Sequence, residues 1–158
     1  MSLLIRFSIA LTIVFVISCT SKEEKDSEQL KQFLTEVSPE GKVVENILVL
    51  TENGCPNCNR SFAIFLEQQL LNEQTLCVVS AQGHIIDLSP FIDNENILLD
   101  FDGELKRKYP FINQSSAILL DKNGTVDTVV EIEATDLEQS LKYLQGRIGR
   151  FNDYFPSR

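Results

Sequence analysis

An α/β fold, three layers deep with a mixed sheet in the middle and helices on both faces, is what this sequence of 158 residues predicts. Three observations carry that expectation. Short apolar runs rich in β-branched residues alternate with stretches of helical periodicity. An Asp-Lys-Asn-Gly tetrapeptide at Asp121–Gly124 separates two apolar runs, as a hairpin turn does. The segment "ILVLTENGCPNC", from Ile47, passes from a strand-like run through a polar turn to two cysteines at a helix start.

The first eighteen residues stand apart from that fold. They carry one basic residue, Arg6, then the apolar stretch "IALTIVFVI", then Ser18 and Cys19. A charged start, a short apolar middle and a small residue before the cut predict a secretory signal peptide over residues 1–18. The alternatives are a plain signal or a single membrane helix, but the run is short for a bilayer span. With Arg6 removed, 13 basic residues face 23 acidic ones, a net charge of −10. That excess of negative charge excludes nucleic acid as a partner and disfavours adhesion to anionic lipid through charge.

Residues 19–28 include "TSKEEKDSE" and are expected to be a polar tether, with a folded domain over 29–158. Leu30, Phe33, Leu34 and Val37 recur at helical spacing after a possible cap at Asp26 or Ser27, and Pro39–Gly41 closes that helix. Val43–Leu50 predicts a buried strand. Phe62, Phe65, Leu66 and Leu70 mark one face of a helix from Pro56 to about Leu71. Thr75–Ala81 and Asn96–Asp100 predict further strands, and Gly103–Tyr109 a short helix stopped by Pro110. In the hairpin, Asn123 and Gly124 are expected to supply positive φ values. Thr135–Glu138, "TDLE", has the pattern of a capping box opening a last helix with Leu137, Leu141, Leu144 and Ile148 on one side.

Cys55 and Cys58 hold the chemistry. Two cysteines three apart in the first helical turn lie close enough for a disulfide, and the free N–H groups and partial positive charge there favour thiolate. Pro56 fits the first turn, which leaves its missing N–H unneeded. Cys55, at the helix mouth, is the expected nucleophile, and Cys58, one turn deeper, the resolving thiol. An inert bridge and a metal clip are the alternatives. A metal wants three or four ligands, and the chain has a single histidine, His84. No metal and no cofactor is therefore expected. Cys77 on its apolar strand reads as a packed core thiol, His84 as a surface or structural side chain, and Asp100 and Asp102 as caps for the short helix. Lys106–Lys108 form a small basic patch, and Phe151–Phe155 either pack on the domain or meet a partner.

Family resemblances add to these expectations. "VISC" at Val16–Cys19 resembles the lipobox of bacterial lipoproteins, which implies lipidation of Cys19 and anchoring in a bacterial cell envelope. Lys22–Glu24 resembles a surface-export signal, although a solvated linker accounts for it better. The element order with "CPNC" at a helix start, and "LLDFDGELKRKYPFINQSSAILLDKNGTV" after it, resembles the thioredoxin-like fold family, in particular peroxiredoxin-related and membrane-anchored thiol–disulfide oxidoreductases. The likeness spans roughly Val43 to Leu144. It implies a redox-active pair, a substrate-facing loop at Ser115 and Ser116, and partners among exported proteins with cysteines or a membrane redox protein. Three departures stand out. Ser115 occupies the place of the family's cis-proline, and a non-proline cis bond costs about 3–4 kcal/mol, so a trans bond is expected. Gly54 replaces the aromatic residue that often precedes the first cysteine, and Val49 stands where thioredoxins proper keep a buried acid. A non-catalytic binding or assembly module with a structural Cys55–Cys58 bridge is the competing function.

Overall fold

The computed structural model describes residues 22–37 and 43–148. Its contacts group the chain into two units, the first ending at Glu36 and the second beginning at Val37. Helix α1, Lys22–Val37, begins well ahead of the Asp26 and Ser27 caps and so occupies most of the stretch expected to be a tether. Lys, Glu and Gln are good helix formers. The signal-like leader, Cys19, Pro39–Gly41 and Phe151–Phe155 lie outside the described residues. Among the described residues no helix is long and apolar enough to cross a membrane.

The second unit is built on a five-stranded sheet. In chain order its elements are β1 (Asn46–Thr51), α2 (Pro56–Glu67), β2 (Thr75–Ser80), β3 (Ile97–Leu99), α3 (Glu104–Lys108), β4 (Ser116–Leu120), β5 (Val126–Glu131) and α4 (Leu137–Ile148). The strands lie in the order β3-β2-β1-β4-β5, so β1 is central. β1 runs parallel to β2, and β2 to β3, whereas β4 is antiparallel to both β1 and β5. β1 and β2 are buried along almost their whole length, which is why their sequences are apolar without alternation. β5, at the edge, alternates half-buried and exposed residues, with Asp127, Val129 and Glu131 outward.

Alternate residues of the central strands serve opposite faces. Leu48, Leu50, Cys77, Val79, Ala117 and Leu119 form one core with Phe62 and Leu66 of α2 and Leu144 of α4. On alternate positions Ile47, Val49, Val78 and Ile118 are buried as well. The 3-10 turn Pro110–Asn113 lies against β1, with Ile112 fully buried. The result is a three-layer α/β architecture with a mixed central sheet, consistent with a thioredoxin-like fold.

Three local outcomes differ from expectation. α2 stops at Glu67, short of Leu71: the N–H groups of Gln68 and Gln69 turn back to the carbonyls of Phe65 and Leu66 in tight bonds of 3.2 and 2.8 Å. In the β4–β5 hairpin only Gly124 takes a positive φ, +74°; Asn123 does not. The Asp121 carboxylate organises this turn instead, accepting the N–H groups of Asn123 and Thr125 at 2.8 and 2.9 Å, and a register shift follows between Leu119 and Leu120. α4 opens at Leu137, so Asp136, whose carbonyl accepts the Ser140 N–H at 2.8 Å, takes the cap position expected of Thr135. Both residue types accept well at a helix start, which moves the boundary by one residue at little cost.

Burial decides where substitutions hurt. Phe62→Ala removes a fully buried ring from the α2–sheet contact and is expected to cost about 3–5 kcal/mol in urea unfolding. Val129→Ala, on a side chain 49% exposed at the sheet edge, is expected to change stability by no more than about 0.5 kcal/mol. Equal losses in the two variants would contradict the placement of the core.

Candidate functional site

Because β2 lies on one side of β1 and β4 on the other, chain direction diverges at the carboxyl end of β1, the kind of point where α/β sheets leave a crevice. Thr51 to Gly54 leave the sheet there. Gly54 turns the chain at φ +79°. A Cβ at that position would meet nothing within 4 Å, so the demand for glycine is torsional. Cys55 follows as the N-cap of α2, extended at φ −79° and ψ 109°, with Pro56 in the first turn.

Cys55 and Cys58 are joined as a disulfide, their Cα atoms 5.2 Å apart. The Cys58 N–H points at Cys55 Sγ, 3.3 Å away, and the Asn59 N–H donates to the Cys55 carbonyl at 3.0 Å. The Cys58 N–H is one of the donors that a helix start leaves unpaired, and it is aimed at the sulfur that would carry charge once reduced. The two sulfurs differ in access. Cys55 is half-buried, whereas Cys58 is 2% exposed and belongs to the core around Phe62. Attack from outside is therefore directed to Cys55.

Ser115 lies at the start of the β4 strand facing this helix, and its peptide bonds are trans. Its side chain is 1% exposed. The Ser115 hydroxyl donates to Asn59 Oδ1 at 2.8 Å and accepts the Thr51 N–H at 3.0 Å, while its carbonyl accepts the Ile132 N–H at 2.9 Å. Asn59, itself buried, donates through Nδ2 to the Asn53 carbonyl at 2.6 Å. One serine thus ties the end of β1, the first turn of α2 and the segment after β5. Ser116 is buried within the sheet, paired with Val49 and Glu131. Neither serine side chain lines the open space beside Cys55; from this loop Asn113 and Gln114 do so, with Gln114 extended at φ −126° and ψ 141°.

That space is a cleft of about 350 Å³ bounded by Asn53–Cys55, Asn59, Asn113–Gln114 and Ile132–Thr135. A second cleft, of about 320 Å³, lies over the carboxyl ends of β1–β3 and includes the exposed His84 and half-buried Lys106. Its two carboxylates are spent on structure. Asp100 accepts from the Ser80 hydroxyl at 2.8 Å and from the N–H groups of Leu105 and Lys106, which fulfils its expected capping role. Glu52 accepts the N–H groups of Gln82, Ile85 and Ile86 at 2.9, 2.7 and 3.2 Å. Among the described residues no three His, Cys, Asp or Glu side chains converge as ligands for a metal. Cys77 is a free thiol buried under the sheet, and burial pushes its pKa up to about 12.

Comparison of the chain with protein-family models, with curated proteins and with solved structures finds no match.

Sequence reasoning missed Asn59 and Glu52. Asn59 carried a usable signal: it shares the helical stripe of Phe62, Ala63 and Leu66, and a polar side chain on an apolar stripe needs a buried partner. Glu52 carried none, because its partners are backbone groups thirty or more residues away.

Two measurements check this construction. Ser115→Ala leaves the Thr51 N–H and Asn59 Oδ1 buried without their partner and is expected to destabilise by about 1–3 kcal/mol. Combined with Asn59→Ala, the loss should fall short of the sum of the single losses, because the two groups share one bond. Strict additivity would mean that the bond contributes nothing. Burial raises the Glu52 pKa, but the N–H groups of Ile85, Gln82, Ile86 and His84 outweigh it and hold the carboxyl below its ordinary 4.5. The latch on residues 82–86 is therefore complete above pH 4.5 and is released as pH falls through the lower folded-state value. Protection of the Ile85 amide from hydrogen exchange should drop over that acid range in the native chain. In Glu52→Gln it should already be low at neutral pH and lose this step.

Proposed function

We propose that this chain is a lipid-anchored protein of a bacterial cell envelope that exchanges disulfides with exported proteins through Cys55 and Cys58. The observation that carries the proposal is the asymmetry of the pair: one sulfur half-open at a helix N-terminus, the other sealed beside the core. A bridge that served only to pin a loop would not require that difference in access. The signal-like start and the "VISC" sequence support an exported setting, where a close cysteine pair forms a disulfide.

In the oxidised form, a partner thiolate attacks Cys55 Sγ along the disulfide axis. The Cys55–Cys58 bond breaks and Cys58 leaves as a thiolate that takes up a proton. Cys55 is then joined to the partner in a mixed disulfide. A second partner thiolate attacks the partner sulfur of that bond and releases Cys55. The partner loses two electrons and two protons, and the Cys55–Cys58 pair gains them as a dithiol. Run backwards, with Cys55 attacking and Cys58 resolving, the same steps reduce a partner disulfide. Direction follows the potential of the pair relative to that of its partner.

The decisive test measures the reduction potential of the pair together with Cys55 alkylation against pH. Expected are a Cys55 pKa below the free-thiol value of about 8.5, reduction of insulin disulfides by the dithiol form, and loss of that activity in Cys55→Ser. Cys77, with its thiol pushed up to about 12, should stay unmodified until the chain is unfolded. A bridge that resists glutathione, with no insulin turnover, would replace this proposal with a structural disulfide in a binding module.

A further inference from the structure

The cleft beside Cys55 is lined almost wholly by uncharged groups: the amides of Asn53, Asn59, Asn113 and Gln114, with Ala134 and Thr135. Glu133 is the exception. It is the one charged side chain among the lining residues, it is exposed, and its Oε1 accepts the Gln114 Nε2–H at 3.3 Å. Gln114 lines the cleft too, and the two are cross-strand neighbours where the β4–β5 ladder runs on through the Ile132 N–H and the Ser115 carbonyl, so the bond holds the carboxylate at the cleft beside Gln114. No lysine or arginine lines the cleft to neutralise it. Asn59 is spent on Ser115 and Asn53, but the open amides of Asn53, Asn113 and Gln114 carry both donors and acceptors, the complement of a polypeptide backbone.

We infer that this cleft takes an extended polypeptide segment whose reacting cysteine is flanked by lysine or arginine, with Glu133 as the residue that sets that preference. The inference rests on the exchange at Cys55 proposed above and names the substrate class for it. Gln114, already extended, lies alongside such a segment, and a basic side chain next to the reacting cysteine comes within reach of the Glu133 carboxylate. A segment with acidic neighbours meets the same carboxylate and is repelled. The chain's overall negative charge acts in the same direction at longer range, and salt removes that part first.

The test uses the oxidised chain and two synthetic peptides, each with a single cysteine, flanked on both sides by lysine in one and by glutamate in the other. The rate at which each peptide opens the Cys55–Cys58 bridge is read by acid quench, alkylation of the released thiol under denaturing conditions and mass measurement. The lysine-to-glutamate rate ratio is then compared between the native chain and Glu133→Gln, so that differences in peptide thiol reactivity cancel. The ratio is expected to fall about three- to fivefold in Glu133→Gln, the factor one partly screened charge pair supplies. It should stay unchanged in Glu73→Gln, which removes an equal charge from the turn before β2, at the other end of the sheet. A ratio that survives Glu133→Gln, or that falls equally in Glu73→Gln, overturns the inference while exchange at Cys55 stands. Failure of both peptides to open the bridge overturns the exchange itself, and the inference with it.

Discussion

A single serine, through its hydroxyl and its carbonyl, holds the site in place. Ser115 joins three stretches that are remote in sequence: the carboxyl end of β1 through the Thr51 N–H, the first turn of α2 through Asn59, and the segment after β5 through the Ile132 N–H. Each bond is buried, where a polar group without a partner costs more than the bond itself gains. The consequence is an obligate arrangement. If α2 shifts along the sheet, Asn59 loses Ser115 and Asn53 together, and if the Ser115 loop moves, Thr51 loses its acceptor. The cysteine pair, placed between Asn53 and Asn59 in the chain, is fixed by groups that do not themselves touch the sulfurs.

The sequence resemblance implies a cis-proline's place at Ser115, and the residue found there works by a different means. A proline ring stiffens the backbone by fixing φ and offers no donor. Serine gives up that stiffness but supplies a donor and an acceptor on one atom. The trans chain at Ser115 is held by partners rather than by its own torsions. The surface offered beside Cys55 consequently comes from the residues before it, Asn113 and Gln114, and its chemistry is that of amides.

The fold was legible because most of its signals are local. β-branched runs, a helical stripe from Phe62 to Leu66 and the Asp121–Gly124 turn each announce an element without reference to the rest of the chain. Boundaries were less legible, since they depend on competition between nearby groups. Gln68 and Gln69 tighten the end of α2 before Leu70 and Leu71 can continue it, and the Asp121 carboxylate substitutes for a second positive φ in the hairpin. In the site, the cysteines could be read from spacing, and Ser115 was singled out by the family resemblance alone. The Asn59–Ser115 bond and the Glu133–Gln114 bond could not, because 56 and 19 residues separate the partners and only the closed sheet brings them together.

Electrostatics around the pair sharpens the same point. The chain carries a large excess of acid, yet the cleft beside Cys55 is lined by one carboxylate and no cation. Stabilisation of a thiolate there would fall to dipoles: the Cys58 N–H at 3.3 Å and the positive end of α2. Dipoles act over one turn and do not attract charge from a distance, whereas a carboxylate at the cleft mouth acts on whatever approaches. On the proposed function the two tasks are therefore divided between different groups. The helix start would govern how readily Cys55 ionises, Glu133 would govern which partner arrives, and a change at one need not disturb the other.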